Sequence, residues 1–151
     1  MGISWVEGFN LIGSDNVQAE LILLNCERHY KDNPIDLHFI YNSLIKLYYK
    51  ERDQKVDALD KCINYCLKDI ALFPKFEKAY IAEHTHRGVA PKIPRIPSFQ
   101  QLAIIYEKQG KYKQALQICK RASEFGLHDN TKGGFEGRIN KLEKKISQLK
   151  L

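Results

Sequence analysis

Between Val17 and Leu149 the apolar residues of this chain recur three and four positions apart, and no stretch alternates with a period of two. A half-buried strand needs that alternation and an amphipathic helix needs the wider spacing, so the pattern leaves helices and their connections. Asp15, with Gln18 three residues on, resembles a capping box that opens a first helix through Val17, Leu21, Leu24, Cys26 and Tyr30, ended by Asn33-Pro34. From Asp36 the positions Leu37, Ile40, Tyr41, Leu44, Leu47 and Tyr48 carry a second helix. A charged turn from Lys50 to Lys55 divides it from a third, on Val56, Leu59, Cys62, Ile63, Cys66, Leu67 and Ile70, which is expected to stop near Phe73-Pro74. The second and third helices therefore form a hairpin.

Phe76 to Ala82 reads as a short helix, and the stretch Arg87 to Pro97 holds Gly88, Pro91, Pro94 and Pro97, which exclude a helix interior. Ser98 with Gln101 reads as another capping box, opening Phe99, Leu102, Ala103 and Tyr106 up to the break at Gln109-Gly110. Tyr112, Ala115, Leu116, Cys119 and Ala122 run on to Gly126, and Phe135, Ile139, Leu142, Ile146 and Leu149 mark a last amphipathic helix. Before residue 14, Gly2, Gly8 and Gly13 interrupt Trp5, Phe9, Leu11 and Ile12, so this segment is expected to be an extended arm that docks.

With 151 residues, 44% of them hydrophobic, the chain is expected to be one domain whose core needs no disulfide or structural metal. The longest run free of Asp, Glu, Lys and Arg, Ile96 to Tyr106, is far short of the ~20 apolar residues of a membrane-spanning helix. The start Met1-Gly2-Ile3 lacks a basic region ahead of an apolar one, and Val6 stands where an N-myristoylation motif takes Ser or Thr. A cytoplasmic protein, with no membrane partner and no cofactor, is the expectation. Cys26, Cys62, Cys66 and Cys119 fall within apolar helical patterns, as buried reduced thiols do.

Charge is uneven along the chain. Residues 1–86 hold 10 Lys/Arg against 13 Asp/Glu, whereas residues 87–151 hold 14 against 5. Lys111, Lys113, Lys120, Arg121, Lys132, Arg138, Lys141, Lys144, Lys145 and Lys150 make the C-terminal third basic, as a nucleic-acid partner requires. Tyr112 and Phe135 are better assigned to packing than to base stacking, which favours a solvated basic face.

Helix pairs joined by tight turns invite a test for internal repeats. Phe99-x2-Leu102-Ala103-x2-Tyr106, then Gly110, Tyr112, Ala115-x3-Cys119 and Ala122, resembles a tetratricopeptide repeat in spacing and residue size. Small Ala103, Ala115 and Ala122 let two helices approach, with Leu102 and Tyr106 filling the gap. Cys119 departs from the family's aromatic and Leu127 from its proline. A weaker copy reads Tyr41, Leu44, Ile45 and Tyr48, then Ala58, Cys62 and Tyr65. Tyr48 and Tyr106 stand 58 residues apart, beyond the ~34-residue period, so residues 73–97 are an insertion between repeats. The resemblance covers residues 36–72 and 98–127. The segment from Asn130 to Arg138 (Asn-Thr-Lys-Gly-Gly-Phe-Glu-Gly-Arg) also resembles a tail of bacterial repeat proteins of unassigned function.

Other constellations carry less. Cys62, Cys66, His84 and His86 supply zinc-ligand types, but two cysteines on the buried face of a helix suit packing better than the loop placement of zinc sites. A Cys-His nucleophilic pair fails for the same reason. Thr131-Lys132-Gly133-Gly134 precedes a helix, as phosphate-binding turns do, yet lacks the strand and the Gly-x4-Gly-Lys order of a nucleotide-binding loop. Pro91, Pro94 and Pro97 at every third position fit a stiff connector, or a polyproline ligand.

The expected architecture is all-α, a tetratricopeptide-like helical-hairpin solenoid of about six or seven helices in one domain over 1–151, with residues 131–150 as its capping helix. The resemblance implies a concave side lined by the first helix of each repeat. It assigns Asn42, Ser43, Lys46, Tyr49 and Lys50, with Gln100, Gln101, Ile104, Glu107 and Lys108, to gripping a peptide or partner helix. The family's lysine and asparagine clamp for C-terminal carboxylates is not reproduced, because Gln100 and Ile104 stand opposite Asn42 and Lys46. The implied function is a non-enzymatic protein–protein adaptor. The alternatives are a nucleic-acid-associated or regulatory protein working through the basic half, and self-association through the last helix.

Overall fold

A computed structural model describes residues 4–149. Seven α-helices occupy them: α1 (Trp5–Leu11), α2 (Asn16–His29), α3 (Pro34–Lys50), α4 (Ala58–His84), α5 (Pro97–Lys108), α6 (Tyr112–Glu124) and α7 (Gly134–Leu149). The described residues contain no strand, so the fold is all-α. Met1, Gly2, Ile3, Lys150 and Leu151 lie outside them, and with them the N-terminal reading and the last residue expected for the capping helix. Two compact units divide between Pro91 and Lys92, inside the proline-rich connector.

In the first unit α1 packs on α2, α3 on α4, and α3 also meets α2 and α1. Asp15 caps α2 by accepting from the Gln18 N–H at 3.1 Å, as the capping box requires. Asn33 does the same for α3 through Asp36, with Pro34 in the first turn, where a missing N–H costs nothing. Leu23, Ile40, Leu44, Leu47, Ile70, Phe73 and Phe76 are wholly buried.

Two expectations for this unit are corrected. Residues 5–11 form a helix rather than an extended arm, capped by Ser4, whose hydroxyl accepts from the Val6 N–H. Gly8, which counts against a helix by propensity, is the point of contact. A Cβ there would lie 2.8 Å from Leu23 Cγ and 3.2 Å from Ile22 Cγ2, so only glycine lets α1 close on α2.

The third helix also does not stop at Pro74: α4 runs through it to His84 and absorbs the expected short helix at 76–82. Pro74 lies on the exposed side of the helix, while Phe73 and Phe76 on either side of it are buried. Phe76, Tyr80 and His84 then stack one turn apart, at 5.4 and 4.2 Å between ring centroids, along the added length. Burial of Phe73 and Phe76 offsets a proline penalty of ~3 kcal/mol.

In the second unit α5 packs on α6 and α6 on α7. Both helices of the α5–α6 hairpin end in the same way. Gly110 (φ +76°) and Gly126 (φ +72°) take the left-handed conformation, and the following N–H groups, of Lys111 and Leu127, reach back to the Tyr106 and Ala122 carbonyls. Ser98 is a further correction. Pro97 begins α5, and Ser98 is buried, its hydroxyl meeting no partner among the described residues, so it caps nothing. The apolar stripe of α7 is turned inward, with Phe135 and Leu142 buried and Ile139 and Ile146 half-buried.

Gly8→Ala should destabilise the protein by about 1–3 kcal/mol despite the better helix propensity of alanine, because Leu23 is buried and cannot retreat. Denaturant unfolding of the two proteins checks this, and a stabilised variant would show that α1 does not close on α2 as described.

Candidate functional site

The face of α3 that the repeat resemblance assigns to a partner is largely spent within the chain. Phe39, Lys46 and Lys50 share one stripe of α3, and α1 lies against it. Trp5 stacks on Phe39 with centroids 5.4 Å apart and planes 12° from parallel, Lys46 Nζ sits 4.5 Å from the Phe9 ring centroid, and Lys50 Nζ lies beside Gly13. A cation over an aromatic face is attracted by the ring quadrupole, so the lysine contacts help hold the short helix in place. Ser43 is withdrawn from the binding set: it is 1% exposed and its hydroxyl donates to the Phe39 carbonyl at 2.8 Å. Tyr49 is half-buried under the Arg52 guanidinium, 4.0 Å from its ring.

Asn42 faces the core. Its Nδ2 lies 3.1 Å from Nε2 of His38, whose Nδ1 lies 2.7 Å from Asp69 Oδ1 on α4. Nδ1–H donating to the carboxylate and the Asn42 amide donating to Nε2 satisfy both ring nitrogens at once. His38 is 2% exposed and Asp69 fully buried, so this chain of side chains links α3 to α4 in the core. Asp69 Oδ2 and Asn42 Oδ1 find no partner among the described residues. The cluster was legible in outline: Asp69 falls three residues after Cys66 and seven after Cys62, on the stripe that should be apolar.

Tyrosines tie the same unit together from α2. Tyr48 donates to Glu20 at 2.7 Å and Tyr65 to Glu27 at 2.8 Å, and burial followed by these carboxylates pushes both phenols well above their ordinary range. The cysteines are free and buried. The neighbouring Cys62 thiol and then burial raise Cys66, and burial raises Cys26 and pushes Cys119 up to about 11, against the thiolate that nucleophilic or metal chemistry needs. His84 packs on Tyr80, while His86 pairs with Val89 across the turn at Arg87-Gly88. Among the described residues no group of three or more His, Cys, Asp or Glu is placed to hold a metal ion.

The other five assigned residues stand on α5, in the second unit. Gln100 accepts from Arg95 Nη2 at 2.6 Å, Gln101 and Ile104 are half-buried, and Glu107 and Lys108 are exposed. In the same unit the segment 129–138 is tied together by hydrogen bonds to one carboxylate. Asp129 is 3% exposed and accepts from the Thr131 N–H (3.0 Å), the Thr131 hydroxyl (2.5 Å) and Arg138 Nε (2.6 Å). Burial pushes its carboxyl up, but Arg138 and Thr131 outweigh burial and hold it below its ordinary 3.8.

Comparison with known proteins adds one relative. An uncharacterized protein of Aquifex aeolicus (strain VF5) is 28% identical over 95 residues, which are 63% of this chain and 42% of that protein. The match thus spans less than half of the relative's length. No family model matches the chain, and no solved structure matches it. No helix among the described residues is long and apolar enough to cross a membrane.

Asp69→Ala should cost about 3 kcal/mol, because it strands His38 without its acceptor in the core, whereas His38→Leu/Asp69→Leu should cost less than the single variant. Urea unfolding of the three proteins decides this, and a double variant worse than Asp69→Ala would show that the pair is a net source of stability. Asp129→Asn should cost about 2 kcal/mol near neutral pH. The sign follows from a carboxyl lowered on folding: its contribution is present above the unfolded value and lost as pH falls through the folded one, so the deficit should shrink below about pH 4. Thermal melts of both proteins between pH 7 and pH 3 measure it.

Proposed function

We propose that this chain is a non-enzymatic protein–protein interaction module, built on tetratricopeptide-like hairpins, that receives a peptide or partner helix on the exposed side of α5. The observation that carries the reading is the seating of α1 on α3. A short helix places Trp5 and Phe9 along a helix face that presents Phe39 and Lys46, which is helix-in-groove recognition within one chain. In the register that aligns Tyr48 with Tyr106, Ser43, Lys46 and Lys50 correspond to Gln101, Ile104 and Lys108. That stripe is polar at its ends, with a half-buried isoleucine between, and suits an amphipathic partner.

The burial of every cysteine and of Asp69 and His38 supports a binding role over catalysis. A second reading is favoured by the exposed Lys113, Lys120, Lys141 and Lys144 of the second unit, which suit a nucleic-acid partner bound through released counterions. A tagged pull-down from cell lysate separates the two. Discrete proteins retained in the presence of nuclease, and reduced about tenfold by Ile104→Asp, are the expected result. Retention that vanishes with nuclease would move the function to the basic face.

A further inference from the structure

The second unit contains a cleft of about 470 Å³ between the segment that follows Pro91 and the turn that follows α6. Ile93, Pro94 and Phe125 are half-buried along it, and exposed Lys92, Arg95 and His128 also line it. No lining residue is acidic. Asp129, between the lining residues His128 and Asn130, is withdrawn: it is buried and bound to Thr131 and Arg138. Arg95 is oriented by its bond to Gln100 and keeps further guanidinium donors.

The backbone of this wall is also open. Prolines at 91, 94 and 97 prevent the segment from joining a helix, and Ile96 is extended (φ −111°, ψ 95°). Among the described residues, no backbone–backbone hydrogen bond is made by residues 92–95. The N–H groups of Lys92, Ile93 and Arg95 thus have no main-chain acceptor, and an extended peptide laid alongside supplies carbonyls to such groups. The volume lies within the range of clefts that hold small ligands or single side chains.

We infer that this cleft binds an extended acidic peptide, with one large apolar side chain seated on Ile93, Pro94 and Phe125 and flanking carboxylates met by Lys92, Arg95 and His128. It is a different surface from the α5 stripe, and it stands or falls independently of that proposal. The charge pattern selects the partner: three basic groups around an apolar floor, with no acid among them, reward a ligand that brings both carboxylates and an apolar anchor.

The test is fluorescence anisotropy of the full-length protein with a fluorescein-labelled peptide, Glu-Asp-Asp-Phe-Asp-Asp-Glu. Lys92→Glu/Arg95→Glu alters two exposed side chains and should weaken binding by about tenfold or more, while Lys144→Glu/Lys145→Glu, an equal charge change on α7, should leave it within about twofold. Replacing the peptide's Phe by Ser should cost about fivefold or more if the apolar floor is used. Absence of binding, equal loss from the two charge-reversed pairs, or equally effective competition by a short single-stranded oligonucleotide would overturn the assignment. The outcome with the α5 variant Ile104→Asp separates the surfaces: peptide binding that survives it belongs to the cleft, and peptide binding lost with it does not.

Discussion

The first unit depends on a polar pair in its interior. His38 and Asp69 meet at 2.7 Å between α3 and α4, at 2% and 0% exposure, where neither can fall back on water. An apolar contact tolerates sliding by a fraction of a turn, but a single short hydrogen bond between two buried groups does not, so the pair sets the register in which Tyr48 meets Tyr65 and Cys62 meets the Ile45 carbonyl. Asn42 completes the chain and is thereby lost to any outside partner.

On the other side of α3 the constraint is steric. Gly8 brings α1 against Leu23, and that approach puts Trp5 over Phe39 and Phe9 beneath Lys46. A face that a repeat protein would offer to a ligand is met by the chain's own first helix. α3 is therefore contacted by α1, α2 and α4.

The second unit is organised by charge and turn chemistry. Two glycine-terminated helices form its hairpin, and Asp129 holds the approach to α7 by drawing in Arg138 and Thr131. One basic residue of the C-terminal third is thus structural. Lys113, Lys120, Lys141 and Lys144 are exposed, and the cleft near Pro94 is lined by Lys92, Arg95 and His128, with Asp129 beside them committed to Thr131 and Arg138.

Much of this was legible in the residues themselves. The three/four spacing determined that the chain is helical, Asp15 where α2 begins and Asn33-Pro34 where it stops, and Gly110 and Gly126 where α5 and α6 end, because caps and terminal glycines act within one turn of chain. Residues far apart in sequence decided the rest. Gly8 and Pro74 read as helix breakers by local preference, and burial against Leu23 and beside Phe73 and Phe76 overrode that preference. The assigned set of Asn42, Ser43 and Lys46 rested on the repeat resemblance, and only tertiary packing brought His38, Phe39 and α1 against them. Local backbone energetics reach about a turn along the chain, whereas which face stays exposed is settled by contacts between segments that the sequence does not place side by side.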